Sequence, residues 1–167
     1  MEYKFRTATE NDTFDLFGMS KICDIYDFMT YISEMDKKTP LAFGQLKARF
    51  GEPVYISENL ESQYEYHIIA EDENGTEYRF LTYSGPTGPS VSGKSMDKGA
   101  LEAAEALAEF VRNAEAVDYS YEGYYMDGPC RIKMGVKDGK PYYEEEELIL
   151  SETEFKELYN RLYGLEG

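Results

Sequence analysis

The segment best suited to chemistry is residues 88–95, which fit the pattern G-x-x-x-x-G-K-S in full. In nucleotide-binding proteins the backbone N–H groups of such a loop surround the phosphates, the lysine contacts the β- and γ-phosphates, and the serine hydroxyl binds Mg²⁺. The residues that would do this here are Gly88, Gly93, Lys94 and Ser95. They define a nucleotide-binding enzyme as one alternative function.

The surroundings of this segment argue against a phosphate loop. The strand predicted before it belongs to an Asn-Gly hairpin, whereas a phosphate loop normally follows the first strand of a parallel sheet. The rest of the chain offers no apolar strand ending in Asp to supply the second carboxylate for the metal. Pro89 has no N–H to donate to a phosphate. A glycine-rich surface loop that leads into a helix is the favoured interpretation.

Few other residues have the type and spacing that catalysis needs. His67 is the only histidine, and no Ser or Cys lies near it in the sequence as a nucleophile. The two cysteines, Cys23 and Cys130, cannot form a Cys/His zinc site with it, and we expect both thiols in or near the core. The acidic run at residues 144–147 is typical of an edge strand that charge protects from aggregation. The sequence therefore predicts no enzyme activity, no cofactor and no metal.

The charge balance favours a basic protein as the binding partner. Thirty-three Asp and Glu stand against 17 Lys and Arg, for a formal net charge of −16. Such a chain is repelled by nucleic acid and by anionic membranes, and attracted to basic proteins. No secretion signal and no run of about 18 apolar residues is present, so we expect cytoplasmic residence. The alternative that the charge serves only solubility stays open.

Two segments combine acids with tyrosines and are the predicted contact surface. Residues 54–78 contain seven acids and no Lys or Arg, and residues 117–128 combine three acids with four tyrosines. Tyrosine suits interfaces because its ring buries area at low entropic cost while its hydroxyl still hydrogen-bonds. The predicted contact residues are Glu65, Glu71, Asp72, Glu77, Asp118, Tyr119, Tyr121, Glu122, Tyr124 and Asp127. We expect about half of these tyrosines to pack within the sheet instead.

The first half of the chain is predicted to contain two helices, a hairpin and a long loop. Apolar residues at three- and four-residue spacing indicate a helix within residues 16–32, and a second helix is expected to start with Thr39 as N-cap and Pro40 as its first residue. Alternating residues around Asn74-Gly75 predict two strands joined by a type I′ turn. Residues 84–99 are predicted to form a loop.

The second half is predicted to contain two helices and three strands. The clearest helix covers about residues 97–115, and Ser151 with Glu154 forms a capping-box pattern before the last helix. The three strands are expected at residues 117–126, 130–136 and 141–150. The order α-α-β-β-α-β-β-β-α predicts one α+β domain over residues 1–167, with a mainly antiparallel sheet of about five strands.

One resemblance extends over about residues 40–95. The Phe-Gly-Glu-Pro run at residues 50–53, the tyrosine-rich hairpin through residues 74–75, and the Tyr-Ser-Gly-Pro-Thr-Gly-Pro run at residues 83–89 resemble small bacterial immunity proteins of polymorphic-toxin systems. The resemblance implies a cytosolic antitoxin that binds and blocks a cognate toxin, often a basic nuclease. It carries over no catalytic residue.

The acidic, tyrosine-rich composition fits two other kinds of protein as well. One is a phage-encoded inhibitor, such as an anti-CRISPR protein, that mimics nucleic acid and blocks a DNA-binding enzyme. The other is an accessory module of a larger assembly. An inhibitory binding protein remains the preferred prediction because net charge of this size accelerates association with a basic partner.

Overall fold

The structure is a computed structural model and describes residues 1–85 and 88–164. Its elements are β1 (Tyr3–Thr7), β2 (Ser20–Asp24), α1 (Phe28–Ser33), α2 (Met35–Phe50), β3 (Tyr55–Ile56), a 3-10 helix (Leu60–Ser62), β4 (Tyr64–Asp72), β5 (Glu77–Gly85), β6 (Gly88–Gly93), α3 (Ala100–Arg112), β7 (Tyr119–Tyr125), β8 (Cys130–Lys137), β9 (Lys140–Glu147) and α4 (Glu152–Leu162). The predicted α+β fold with mainly antiparallel sheets is confirmed.

The larger of two sheets holds most of the core. Its strands run in the order β1-β4-β5-β6-β2, and β3 pairs with the start of β4. Every other residue of β4 faces the helices, in agreement with the two-residue period of a strand. The helices α2 and α3 cover this face and bury a single cluster of side chains, which includes Phe43, Leu46, Tyr64, Tyr66, Ile68, Phe80, Val91 and Leu107.

The opposite face of the larger sheet lies under the connection between β1 and β2. Phe14 in this connection stacks on His67 with ring centroids 4.3 Å apart. The carbonyl oxygen of Thr13 accepts a hydrogen bond from Arg79 Nε at 2.6 Å. Ile69 is consequently only 1% exposed, although it faces away from the main core.

The smaller sheet consists of β7, β8 and β9 in that order. Ile132 and Met134 of β8 are fully buried on its inner face, where α2 packs against β8 and β9. The hydroxyl of Tyr119 donates to the carbonyl oxygen of Pro40 at 2.6 Å and ties the sheet to α2. The other face of the sheet is open to solvent.

The predicted helix over residues 16–32 is wrong for most of its length. Ser20–Asp24 forms β2, and only Phe28–Ser33 is helical. Gly18 has φ of 80°, a left-handed conformation that a helix interior does not accept. β6 gains an edge partner in β2, and this long-range pairing outweighs the local three- and four-residue period.

The predicted start of the second helix is also wrong. α2 begins at Met35 and contains Pro40 in its interior. The backbone N–H groups of Lys37 and Lys38 both bond to the carbonyl oxygen of Glu34, so the first turn forms before the proline. Burial of Pro40 against the smaller sheet compensates for the one hydrogen bond that a proline cannot donate.

The predicted hairpin is confirmed, but its turn is not type I′. Gly75 has φ of 81°, whereas Asn74 is not among the residues with positive φ. The N–H of Gly75 bonds to Asp72 O at 3.1 Å and that of Asp72 to Thr76 O at 3.0 Å. This is a three-residue loop that places only its glycine in the left-handed region. The Asp72 carboxylate accepts from the N–H groups of Asn74 and Thr76 and favours this loop.

The number of strands exceeds the prediction because several strands carry no alternating pattern. β3 has two residues, and β6 is buried on all six of its positions. The strands predicted in the second half and the capping box at Ser151 are confirmed. The predicted helix at 97–115 is α3, which is shorter at both ends.

Candidate protein-binding surface

The segment that matches a phosphate loop is a strand of the larger sheet. β6 pairs with β5 on one side and with β2 on the other, so its backbone N–H groups serve the sheet rather than a phosphate. A Cβ at Gly93 would lie 2.8 Å from the ring of Phe80, so this glycine serves packing. Lys94 lies 3.8 Å from Asp15, and Ser95 Oγ lies 3.5 Å from Ser20 Oγ.

The prediction of a loop over residues 84–99 is therefore wrong for Gly88–Gly93, which form β6. Residues 86 and 87 lie outside the described part of the chain. Gly88 itself has φ of 98° and packs against the ring of Tyr31. The nucleotide-binding alternative loses the loop geometry on which it depends.

The single histidine contacts a neighbouring carboxylate, and the two cysteines are free thiols. Nε2 of His67 lies 2.9 Å from the Glu65 carboxylate. Burial raises the pKa of Cys23 to about 11, and burial also raises the pKa of Cys130. Both cysteines are free, and such thiols hold little of the reactive thiolate at neutral pH. Within residues 1–85 and 88–164, no group of three His, Cys, Asp or Glu side chains could hold a metal ion.

Three of the four acids predicted as contacts on the hairpin have partners within the molecule. Glu65 pairs with the histidine, and the buried Asp72 holds the turn. Glu77 lies 3.6 Å from Arg6 and 3.6 Å from Arg79. Glu71 is exposed on β4. The hairpin therefore offers few free carboxylates to a partner.

The predicted contacts on β7 divide between the two faces of the smaller sheet. Tyr119 and Tyr121 face inward, and the hydroxyl of Tyr121 donates to the carbonyl oxygen of Ser57. Asp118 accepts hydrogen bonds from the N–H groups of Asp138 and Gly139 and so caps the turn between β8 and β9. These three predicted contacts serve the fold of the protein itself.

The remaining predicted contacts lie on or beside the open face. Glu122 lies 3.6 Å from Arg131, and the Arg161 guanidinium lies 5.5 Å from the centre of the Tyr124 ring. Asp127 is exposed in the turn that follows β7. The structure thus brings Glu122 and Tyr124 together beside α4, while Glu71 is on the other sheet.

The acidic strand β9 is the edge of the smaller sheet, as its charge predicts. Its four glutamates are all exposed. Glu146 pairs with Arg131. Within the described part of the chain, no ion pair within 4.0 Å involves Glu144, Glu145 or Glu147. Three carboxylates on this strand are therefore available to an external cation.

Helix α4 follows β9 and leaves much of its apolar side uncovered. Phe155, Tyr159 and Tyr163 recur every four residues and are 38%, 39% and 38% exposed. Their rings form a continuous stripe, with centroids 6.3 Å apart for the first pair and 4.5 Å for the second. Leu162 is the one buried residue of the helix.

The C-terminal end of α4 is the part that anchors it. Arg161 lies 3.3 Å from Glu58, and the hydroxyl of Tyr163 donates to the Glu61 carboxylate at 2.7 Å. The N-terminal end is stabilised locally by the capping box of Ser151 and Glu154. A helix fixed in this way holds its aromatic stripe in place without covering it.

We call β9 and α4 together the C-terminal surface. It includes the carboxylate of Glu144 on the open face of the smaller sheet, those of Glu145 and Glu147 on the other face, and the stripe of Phe155, Tyr159 and Tyr163. Residues 141–157, which form most of it, contain seven acids and a single base, Lys156. The sequence-based contact prediction missed this surface. The acidic run followed directly by a capped amphipathic helix marks this segment in the sequence, but the exposure of the apolar side of that helix depends on tertiary packing.

No helix in residues 1–85 or 88–164 is long and apolar enough to cross a membrane. Comparison of the chain with protein-family models, with curated proteins and with solved structures finds no match.

Proposed function

We propose that this protein is an acidic inhibitory binding protein that blocks a basic protein, as an immunity protein blocks its toxin. The observation that carries the proposal is the C-terminal surface. There, carboxylates with no cation within 4.0 Å among the described residues are followed in the sequence by an exposed aromatic stripe. Carboxylates draw a basic partner in and accelerate association. Aromatic rings then provide the buried contacts that dominate affinity.

Tyrosines beside carboxylates suit a partner rich in arginine. A guanidinium can donate hydrogen bonds to a carboxylate in its plane while an aromatic ring stacks on its face. The chain already contains this arrangement internally, because Arg161 pairs with Glu58 while it lies over the ring of Tyr124. A partner arginine at Tyr159 would repeat the same contacts between two proteins.

The inhibitory activity is tested by growth rescue. The protein is co-expressed with each of a panel of basic toxin nucleases, and we expect the wild-type chain to restore growth against its cognate toxin. The variant E144K/E145K/E147K reverses the free charges of β9 and should slow association with the purified toxin about tenfold or more at low salt.

The matched control is E10K/D97K/E115K, which makes the same charge change at three exposed sites outside both β9 and α1. We expect it to slow association less than the β9 variant does. Equal slowing by both variants would show that only net charge matters and would remove the assignment to β9. Failure of the wild-type chain to bind or inhibit any basic toxin nuclease, together with binding to a DNA-binding enzyme, would favour the nucleic-acid mimic instead.

A further inference from the structure

A second exposed apolar patch lies on and beside α1, on an element that the contact predictions did not include. Phe28, Met29, Ile32 and Met35 are 56%, 71%, 50% and 41% exposed. Phe28, Met29 and Ile32 fall at positions one, two and five of α1, which places them on one side of that helix. Met35 is the first residue of α2 and follows the break in helical geometry at Glu34. We call these four residues the α1 patch.

The helix is held in place by a residue outside the patch. Tyr31 is the only buried residue of α1, and its ring packs against Gly88 at the start of β6. Its hydroxyl lies 2.8 Å from Thr39 Oγ1. Tyr31 therefore holds in place the helix that carries most of the α1 patch, while the four residues of the patch stay exposed.

Acids outnumber bases around the α1 patch. Residues 25–38 contain Asp27, Glu34 and Asp36 against Lys37 and Lys38. The groove that Asp27 lines is also lined by Glu102, Glu105 and Glu109 of α3, together with Arg112. Lys38 lies 3.6 Å from Glu34 and 5.0 Å from the centre of the Tyr26 ring, so this cation is occupied within the molecule.

The helix that follows the α1 patch packs against the acidic edge strand. Asp36 is in the first turn of α2, and α2 contacts β9. Glu145 is on β9 and has no cation within 4.0 Å among the described residues. The acids beside the α1 patch are therefore connected to the C-terminal surface through α2.

These features indicate what kind of molecule could bind the α1 patch. Methionine side chains are flexible and polarisable and adapt to varied apolar surfaces. An apolar stripe flanked by carboxylates is complementary to an amphipathic helix with Lys and Arg beside its apolar face. A second copy of this chain is a poor occupant, because each copy carries a net charge of −16.

We propose that the α1 patch binds a basic amphipathic helix of the partner protein, with the apolar face of that helix on Met29 and Ile32 and its cations over Asp27, Asp36 and Glu145. The proposal rests on the proposed function for the identity of the partner. It adds a second binding surface and names the element of the partner that this surface receives.

The test uses a synthetic peptide of leucine and lysine, about 18 residues or five turns long, with leucines at helical spacing. One comparison peptide replaces leucine with serine at equal charge, and another replaces lysine with glutamate. Fluorescence anisotropy with the full chain should give about tenfold weaker binding for either comparison peptide. M29S/I32S should lose about as much affinity, whereas M96S/V54S, at sites 95% and 62% exposed and outside both proposed surfaces, should change little.

Circular dichroism checks that M29S/I32S is folded, and M29K alone provides a second variant if it is not. Equal binding of the serine peptide would overturn the apolar contact, and equal binding of the glutamate peptide would overturn the basic occupant. Unchanged binding by folded M29S/I32S, or by M29K, would overturn the site. Self-association in sedimentation velocity that M29S abolishes would identify a second copy as occupant and also overturn the proposal.

The two proposals fail separately. If the chain inhibits a basic toxin and M29S/I32S inhibits it equally, the α1 patch is not used and the inhibitory function stands. If no basic protein is inhibited but binding of the leucine-lysine peptide still depends on Met29 and Ile32, the proposed inhibitory function is wrong and the proposed docking surface remains.

Discussion

Single residues fix the shape of the smaller sheet where backbone segments approach closely. An added Cβ at Gly135 would overlap the carbonyl oxygen of Tyr119 and would lie 2.9 Å from the hydroxyl of Tyr142. The nearest obstacle is backbone, which cannot move aside without disturbing the pairing of β7 with β8. The glycine is therefore required by space and not by its φ angle.

G135A is expected to lower the free energy of unfolding by about 1–3 kcal/mol, the usual cost of overpacking. Chemical denaturation followed by circular dichroism measures this loss. The matched control is S120A, because Ser120 is the register partner of Gly135 and is exposed. It should change stability by less than about 0.5 kcal/mol. A G135A variant as stable as S120A would contradict the close approach of these strands.

The connection that covers the larger sheet contains a two-point ion pair. Arg6 Nη1 and Nη2 donate to the two oxygens of Asp12 at 2.8 and 2.9 Å. These bonds, with those from the N–H and hydroxyl of Thr9, hold the pKa of Asp12 well below its usual range. The folded protein thus binds fewer protons at this carboxyl than the unfolded chain does.

The stability from Asp12 is consequently present above its unfolded pKa of about 4 and is lost as the pH falls through that value toward the lower folded pKa. D12N should remove the part of the folding stability that depends on ionised Asp12. The difference in free energy of unfolding between D12N and wild type should therefore be large at neutral pH and shrink in acid. Thermal unfolding between neutral pH and about pH 3 measures the difference. E10Q, an exposed change in the same connection, should leave the acid slope unaltered.

At the scale of elements, α4 buries few of its side chains against the rest of the protein. Its capping box is made by Ser151 Oγ, which accepts from the N–H of Glu154, and by the Glu154 carboxylate, which accepts from the N–H of Ser151. Only its last turn contributes a buried side chain. Its stability therefore depends on local capping more than on packing.

S151A should destabilise the folded form of α4 by about 1 kcal/mol, or roughly fivefold in its opening equilibrium. Hydrogen exchange of the α4 amides measures this opening, which should occur without unfolding of the sheets. T153A provides the control, since it changes an exposed residue of the first turn without touching the cap. Equal exchange rates in S151A and wild type would contradict a functional capping box.

At the scale of the whole molecule, tyrosines join the two sheets and the helix between them. Phe43 on α2 stacks with Tyr64 of the larger sheet at 4.5 Å and meets Tyr119 of the smaller sheet edge-on at 5.0 Å. Burial raises the pKa of Tyr64 well above its usual value, and burial also raises the pKa of Tyr119 and Tyr121. These hydroxyls remain protonated in the folded state at pH values where free tyrosine ionises.

The stability that these tyrosines contribute is complete below the unfolded pKa of about 10 and decreases as the pH rises above it. We expect phenolate absorbance to rise in two phases: exposed tyrosines first, and Tyr64, Tyr119 and Tyr121 together with alkaline unfolding. The same titration in denaturant should show one phase near pH 10. A single phase near that pH for the folded protein would contradict the buried positions.

The sequence alone determined the class of the fold and the elements with strong local signals. The Asn-Gly hairpin, the three strands of the smaller sheet and the capped last helix have local patterns that persist in the structure. Composition likewise set the net charge and the expectation of a basic partner. These features depend on period, capping and turn chemistry, which act over a few residues.

Tertiary structure decided the features that depend on residues far apart in the chain. β2 and β6 are strands because β6 pairs with β5 on one side and with β2 on the other, and this pairing outweighs a helical period in β2 and a phosphate-loop pattern in β6. It also decided which acids are free, because Glu65 and Glu77 have partners while Glu145 and Glu147 are left without a close cation among the described residues. Exposure and pairing are set by the whole packed chain, so no local pattern could predict that α4 would leave its aromatic stripe uncovered.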